Sequence, residues 1–272
     1  MELSQSFKLL VNIIADIDGV LSIGKSGGGE LPTQNESDID IFVFCEKVPS
    51  ITIRRSEIRN IEKFGVPINS MSFAETRGEF WGVCDFLTID NYEFCLMFFT
   101  ITEMDMEIDS VLNGLRLDRV NEYFYPTGRC ATFIGMCILC DKTGYIANMK
   151  NRLAVYPKSL AEKAFNYHIS YINPDEDFAR AVVREDILFY HATIEKAIDQ
   201  YLQALFALNR CFFPSRKRSR QYIESFECKP SDCYERMLKV IELGAKPETI
   251  KQSYDTWTAL CAELIELSDK YN

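Results

Sequence analysis

Along the first half of the chain the hydrophobic positions switch period repeatedly. Phe7, Leu10, Val11 and Ile14 recur at helical spacing and predict a helix near 4–16. Val-Leu-Ser-Ile after Gly19 reads as a strand near 19–24, and the apolar run from Asp38 to Cys45 as a second strand. A helix near 52–63 follows. The stretch F-L-T-I-D-N-Y-E-F-C-L-M-F-F then gives two β-rich arms, near 82–99, around an Asp90-Asn91 hairpin turn, with a helix near 103–116 after them. Thr132 to Leu139, closed by the turn Asp141-Lys142-Thr143-Gly144, reads as a last strand.

Near Pro157 the strand signals stop. Pro174-Asp175-Glu176-Asp177 opens a helix of about 30 residues that runs to Leu208, acidic in its first turn where the helix dipole favours negative charge. Further helices are expected near 217–225, 230–243 with Ser231 as N-cap, and 247–270. Ile187, Tyr190, Ile194, Ile198, Tyr201 and Leu205 make one apolar stripe, the mark of a bundle core. The pattern therefore predicts an α+β protein, with a mixed-sheet domain over 1–157 and an all-α helical bundle over 158–272.

The 272 residues are enough for two modest domains. A formal net charge of −10 disfavours a large anionic polymer as substrate, so no nucleic acid is expected as partner; a small cationic or neutral molecule suits the chain better. The ten cysteines sit in apolar contexts such as Cys84, Cys137, Cys140 and Cys261, which reads as buried thiols in a reducing compartment. Cys137-x-x-Cys140 has no partner pair at ligand spacing, and two histidines in all leave little for zinc. His191, within a helix, reads as a packed or interfacial residue. No apolar run approaches the length of a membrane span, and an N-terminus carrying Asp16 and Asp18 is no signal peptide, so a cytoplasmic protein with no membrane partner is the expectation.

Against this background one stretch carries chemistry. Between Gly24 and Val43 a glycine loop leads to Asp38 and Asp40, two residues apart at the start of an apolar strand and so on one strand face. Two carboxylates roughly 6–7 Å apart repel unless a cation lies between them, and Mg²⁺, which takes oxygen ligands and substrate phosphates, suits the pair. The glycines bring backbone N–H groups near a phosphate because nothing projects from their Cα. The plainer alternative is an acidic strand end beside a flexible turn.

This arrangement resembles the DNA polymerase β-like nucleotidyltransferase superfamily, whose signature is a Gly-Ser pair, a spacer of about ten residues, then D-h-[DE]-h. Ser26-Gly27-Gly28-Gly29 stands where the Gly-Ser pair would be, and S-D-I-D-I from Ser37 to Ile41 fits the rest. Small antibiotic-modifying and minimal branches with a helical C-terminal, substrate-side domain are the most similar. The resemblance implies transfer of a nucleoside monophosphate from an NTP to a hydroxyl of a small molecule, with Mg²⁺. Asp38, Asp40 and a third acidic residue on a later strand would hold the metal, and Gly24, Lys25, Ser26, Gly27, Gly28 and Ser37 would seat the phosphates. The third carboxylate position falls on Cys95, and a thiol is a poor Mg²⁺ ligand. Glu93, two residues earlier on the same face, is the candidate to supply the missing oxygen or to deprotonate the acceptor; the alternatives are a two-carboxylate site or a nucleotide-binding pseudoenzyme. Glu103 is a weaker candidate base, and an acidic residue at a helix start is commonly only a dipole partner.

Leu208 to Arg218 resembles an L-N-x-x-[FY]-F-P-x-x-K-[RK] stretch of uncharacterised members. Arg216 and Lys217, with Arg218 and Arg220, form a basic corner in an acidic chain, suited either to β- and γ-phosphates or to plain solvation at a helix start. Gly19 to Ser26 also satisfies the P-loop pattern G-x-x-x-x-G-K-[ST], but its flanks are wrong: a helix precedes it, and three glycines and Pro32 follow Lys25-Ser26 where a helix should open. Lys25 is accordingly expected in a loop.

Overall fold

The computed structural model describes residues 3–27, 31, 38–121 and 124–271. The chain divides into two compact units, one of residues 1–109 with 129–155, the other of 110–128 with 156–272. The expected break at 157/158 thus misses one segment, since 110–128 groups with the helical unit.

The first unit is built on α1 (Leu3–Ala15), β1 (Val20–Lys25), β2 (Ile39–Cys45), α2 (Ile51–Arg59), β3 (Ile68–Phe73), β4 (Val83–Ile89), β5 (Tyr92–Thr100), α3 (Ile101–Leu112), α4 (Pro126–Gly135), β6 (Cys137–Asp141) and α5 (Tyr145–Leu153). Its six strands lie in the order β3-β4-β5-β2-β1-β6. Only β2 and β5 pair in parallel, and every other neighbour is antiparallel. These two central strands are apolar on both faces, as strands covered on both sides must be. On one face Ile39, Ile41, Val43, Phe94, Leu96 and Phe98 join Leu10 and Ile14 of α1 in a buried core. On the other, Phe44 stacks on Phe133 of α4 at 5.2 Å and Phe42 on Phe99 at 6.0 Å. The Asp90-Asn91 turn forms as expected, with φ of 52° and 63°, the left-handed pair that a two-residue hairpin needs.

One buried ion pair fastens this unit. Arg54 of α2 meets Asp85 of β4 through Nε at 2.7 Å and Nη2 at 3.1 Å, and donates from Nη1 and Nη2 to the carbonyls of Pro49 and Ala74. The Ala74 N–H donates back to Asp85.

The second unit contains α6 (Lys158–Ile169), α7 (Asp175–Arg184), α8 (Ile187–Leu208), α9 (Ser219–Ser225), α10 (Cys233–Gly244) and α11 (Ile250–Tyr271). The apolar stripe of α8 is buried along most of its length, with Tyr190, Ile194, Tyr201 and Leu205 inside. Among the described residues no helix is long and apolar enough to cross a membrane.

Three local expectations are corrected. Thr132 to Gly135 lie in α4, and the strand begins only at Cys137; Pro126 at the first helical position starts that helix, and Cys130 and Phe133 bury its inner face. The single long helix to Leu208 is two helices. Glu185 leaves α7 in a left-handed conformation (φ 52°), and the Asp186 side chain caps α8 by accepting from Phe189 N–H at 3.1 Å. At α10 the N-cap is Asp232, not Ser231.

Candidate functional site

β2 alternates strictly at its start. Ile39 and Ile41 point into the core beneath α1, which leaves Asp40 half-buried on the opposite face in line with Phe42; Asp38, just before the strand, is exposed. The end of β1 is tied to this point. Ser26 N–H donates to the Asp40 carbonyl at 3.1 Å, and the Ser26 hydroxyl donates to the Asp40 carboxylate at 3.3 Å. Ser26 is therefore the loop residue that reaches the site.

The parallel register with β5 decides the third position. Ile39 lies beside Phe94, Asp40 beside Cys95 and Ile41 beside Leu96, so a thiol stands across from Asp40 where the resemblance calls for a carboxylate. Cys95 is 8 % exposed. A hydrogen bond with Cys84, burial, and the charges of Asp40 and Asp38 hold its thiol well above the usual range, so it stays neutral. The same hydrogen bond, from Cys95 to its neighbour, pulls the Cys84 thiol down. Glu93 is exposed on the edge of this face, in register with Thr88 of β4. Among the described residues no three His, Cys, Asp or Glu side chains are grouped to hold a metal. The carboxylates of Asp38 and Asp40 are hard oxygen donors of the kind that fit an Mg²⁺ ion whose other ligands are substrate phosphates, whereas the Cys95 thiol is no ligand for it.

Two phosphate-seating residues are placed differently from expectation. Lys25 belongs to β1, in register with Ile41; it is 4 % exposed and its Nζ donates to the Ser26 carbonyl at 3.1 Å, so it is no loop cation. Gly24 is also in the strand, covered by Met136: a Cβ there would lie 2.1 Å from the Met136 sulfur, so its small size serves packing. With β1 running through Lys25, the P-loop pattern forms no P-loop. Gly27 turns in the left-handed region (φ 76°), where an added Cβ would meet nothing within 4 Å among the described residues. Gly28 and Ser37 lie outside the described residues.

Arg129 was not singled out by the sequence. This guanidinium on α4 is buried, lies 4.9 Å from the ring centre of Phe99 and 5.5 Å from that of Phe42, and donates to Glu107 at 3.3 Å. Burial pulls its pKa down from the usual arginine range, with Glu107 opposing. It places a cation on the Asp40 face, under Trp81 as well. Glu103, by contrast, is a helix cap. It accepts from Thr100 N–H and the Thr100 hydroxyl while Thr100 caps the Glu103 N–H, a capping box at the start of α3.

In the helical unit Arg216 is already taken up. It pairs with Glu195, lies 3.0 Å from Asp199 and donates to the Tyr125 hydroxyl at 3.3 Å. Arg119 pairs with the same two carboxylates. Asp199 is fully buried, and burial pushes its carboxyl up while the Tyr125 hydroxyl and the two arginines pull it back. Lys217 is exposed next to this network. The expectation of a free phosphate clamp thus does not hold for Arg216.

Residues 125–218 match a family described as a domain of unknown function, DUF4037. No curated protein matches the chain. The crystal structure of a nucleotidyltransferase-like protein from Exiguobacterium sibiricum 255-15 aligns with a TM-score of 0.50 over 99 % of this chain and 78 % of that one, at 9 % identity. The fold is nucleotidyltransferase-like. At that identity the likeness is one of fold, and activity has to be argued from the site.

Proposed function

We propose that the protein is a nucleotidyltransferase that moves a nucleoside monophosphate from an NTP to a hydroxyl group of a small molecule, using Mg²⁺. The observation that carries this reading is the placement of Asp38 and Asp40 at the start of β2 with the Ser26 hydroxyl on the Asp40 carboxylate. Asp38 and Asp40 are the residues that would hold the metal together with the triphosphate. When bound, the metal stabilises charge on the phosphoryl oxygens and on the leaving pyrophosphate. Ser26 fixes the orientation of the Asp40 carboxylate. Gly27, which has no side chain, lets the backbone approach phosphate oxygens. Glu93, exposed on the same strand face, takes the proton from the acceptor hydroxyl as the bond to the α-phosphorus forms and the bond to pyrophosphate breaks.

A second reading, nucleotide binding without turnover, is favoured by one observation, a cysteine, Cys95, in register with Asp40 where the resemblance calls for a carboxylate. Calorimetry of ATP, GTP, CTP and UTP with and without Mg²⁺ tests the shared element: binding should require the metal and be lost in Asp38→Asn. Pyrophosphate release against a panel of hydroxylated and aminated small molecules then separates the two. Release that falls in Glu93→Gln supports transfer. Binding with no release, converted to release by Cys95→Asp, supports the second reading. Absence of binding for all four nucleotides sinks both.

A further inference from the structure

The helical unit contains a groove of about 410 Å³ lined by α8, α9 and α10, within the roughly 300–1,000 Å³ of small-molecule sites. Its floor is aliphatic. Ile194, Ile198 and Leu202 recur every four residues along α8, and Met237, Leu238 and Ile241 come from α10. Leu238 and Ile241 remain 47 % and 45 % exposed, so this apolar surface is wet. The rim has the opposite character: Arg216, Arg218 and Arg220 all border it, in a chain whose net charge is −10.

The three arginines differ in what they have left to offer. Arg216 is engaged by Glu195 and Asp199, and Arg220 by Glu224 and Glu235. Glu195, the carboxylate that also borders the groove, is held by Arg119 and Arg216. Arg218 is exposed, sits in a left-handed conformation (φ 62°) just before α9, and makes no ion pair among the described residues. An apolar trough with one uncommitted guanidinium at its edge is complementary to a ligand with an aliphatic body and a single anionic head.

We infer that this groove binds an anionic amphiphile, a medium-chain aliphatic carboxylate, with the chain on the α8 and α10 floor and the carboxylate on Arg218. The inference stands apart from the nucleotide site. It is tested on the full chain by displacement of the fluorescent polyene fatty acid cis-parinarate, with all amphiphiles below their micelle concentrations. Dodecanoate should displace the probe from one site, and dodecyltrimethylammonium, with the same chain and the opposite charge, should not. Arg218→Glu and Ile241→Asp, both at exposed positions, should each weaken dodecanoate at least tenfold with an unchanged circular dichroism spectrum. Equal displacement by the cation, or undiminished binding in Arg218→Glu, overturns the inference. So does a groove that ignores dodecanoate and instead takes an acidic amphipathic peptide.

Discussion

The two units bury charge in different ways. Arg54 and Asp85 in the sheet unit are 3 % and 0 % exposed, and the pair is answered from inside by two carbonyls, one N–H and each other. Asp199 in the helical unit is just as buried, but its arginines are not; Arg119 is 19 % and Arg216 34 % exposed, and both border cavities. The first pair is a fastener between α2 and β4. The second is a network with one wet side, where an arriving anion or cation competes with existing partners. Equal burial of a carboxylate therefore does not imply an equal role, and the exposure of its partner tells the two apart.

The sharpest way to break this comparison is to remove the carboxylates in turn. Asp85→Ala strands a buried guanidinium and should lower stability by about 3–5 kcal/mol in urea titration. Asp199→Ala leaves arginines that water can reach and should cost about 1–3 kcal/mol by the same measurement. Equal losses would erase the distinction.

A pH titration sharpens it further within the helical unit. His168 is buried, and burial pulls its pKa below the usual value although the contact with Gln200 opposes this. A depressed histidine pKa means that the unfolded chain binds the proton first. Stability from this residue should thus be constant above about pH 6.5 and fall as pH drops from there to the lowered folded-state value. In His168→Asn the urea midpoint should lose that slope; persistence of the slope would assign it to other groups. The smallest effect on stability is expected at the candidate site itself. Asp38→Asn, at an exposed position, should stay within about 0.5 kcal/mol of wild type while Mg²⁺-dependent nucleotide binding drops at least tenfold.

The elements that local pattern announces are those whose cause is local. The Asp90-Asn91 turn and the alternation at Ile39-Asp40-Ile41 need only a few neighbours, and both form as read. The strand expected to end at Gly24 runs one residue further, through Lys25, and the cover over Gly24 comes from Met136, more than a hundred residues away. The break at Glu185 carries no proline or glycine to mark it, only the capping ability of Asp186. The setting of Arg129 and the Tyr125–Asp199–Arg216 network depend on tertiary register, which no spacing within one segment encodes. The identity of Cys95 was legible, but its place across from Asp40 rests on the parallel pairing of β2 with β5.

The path of the chain through the units has a consequence for how this protein can be handed down. The chain passes from one unit to the other after residues 109, 128 and 155. No single cut releases either part whole: a fragment beginning at Lys158 would lack Arg119 and Tyr125, and so would bury Asp199 without two of the groups that satisfy it. Gene fusion or recombination that trades one half for another would orphan that carboxylate at once. The helical unit is thus inherited intact only with residues 110–128, a stretch that lies between two passages of the chain through the sheet unit.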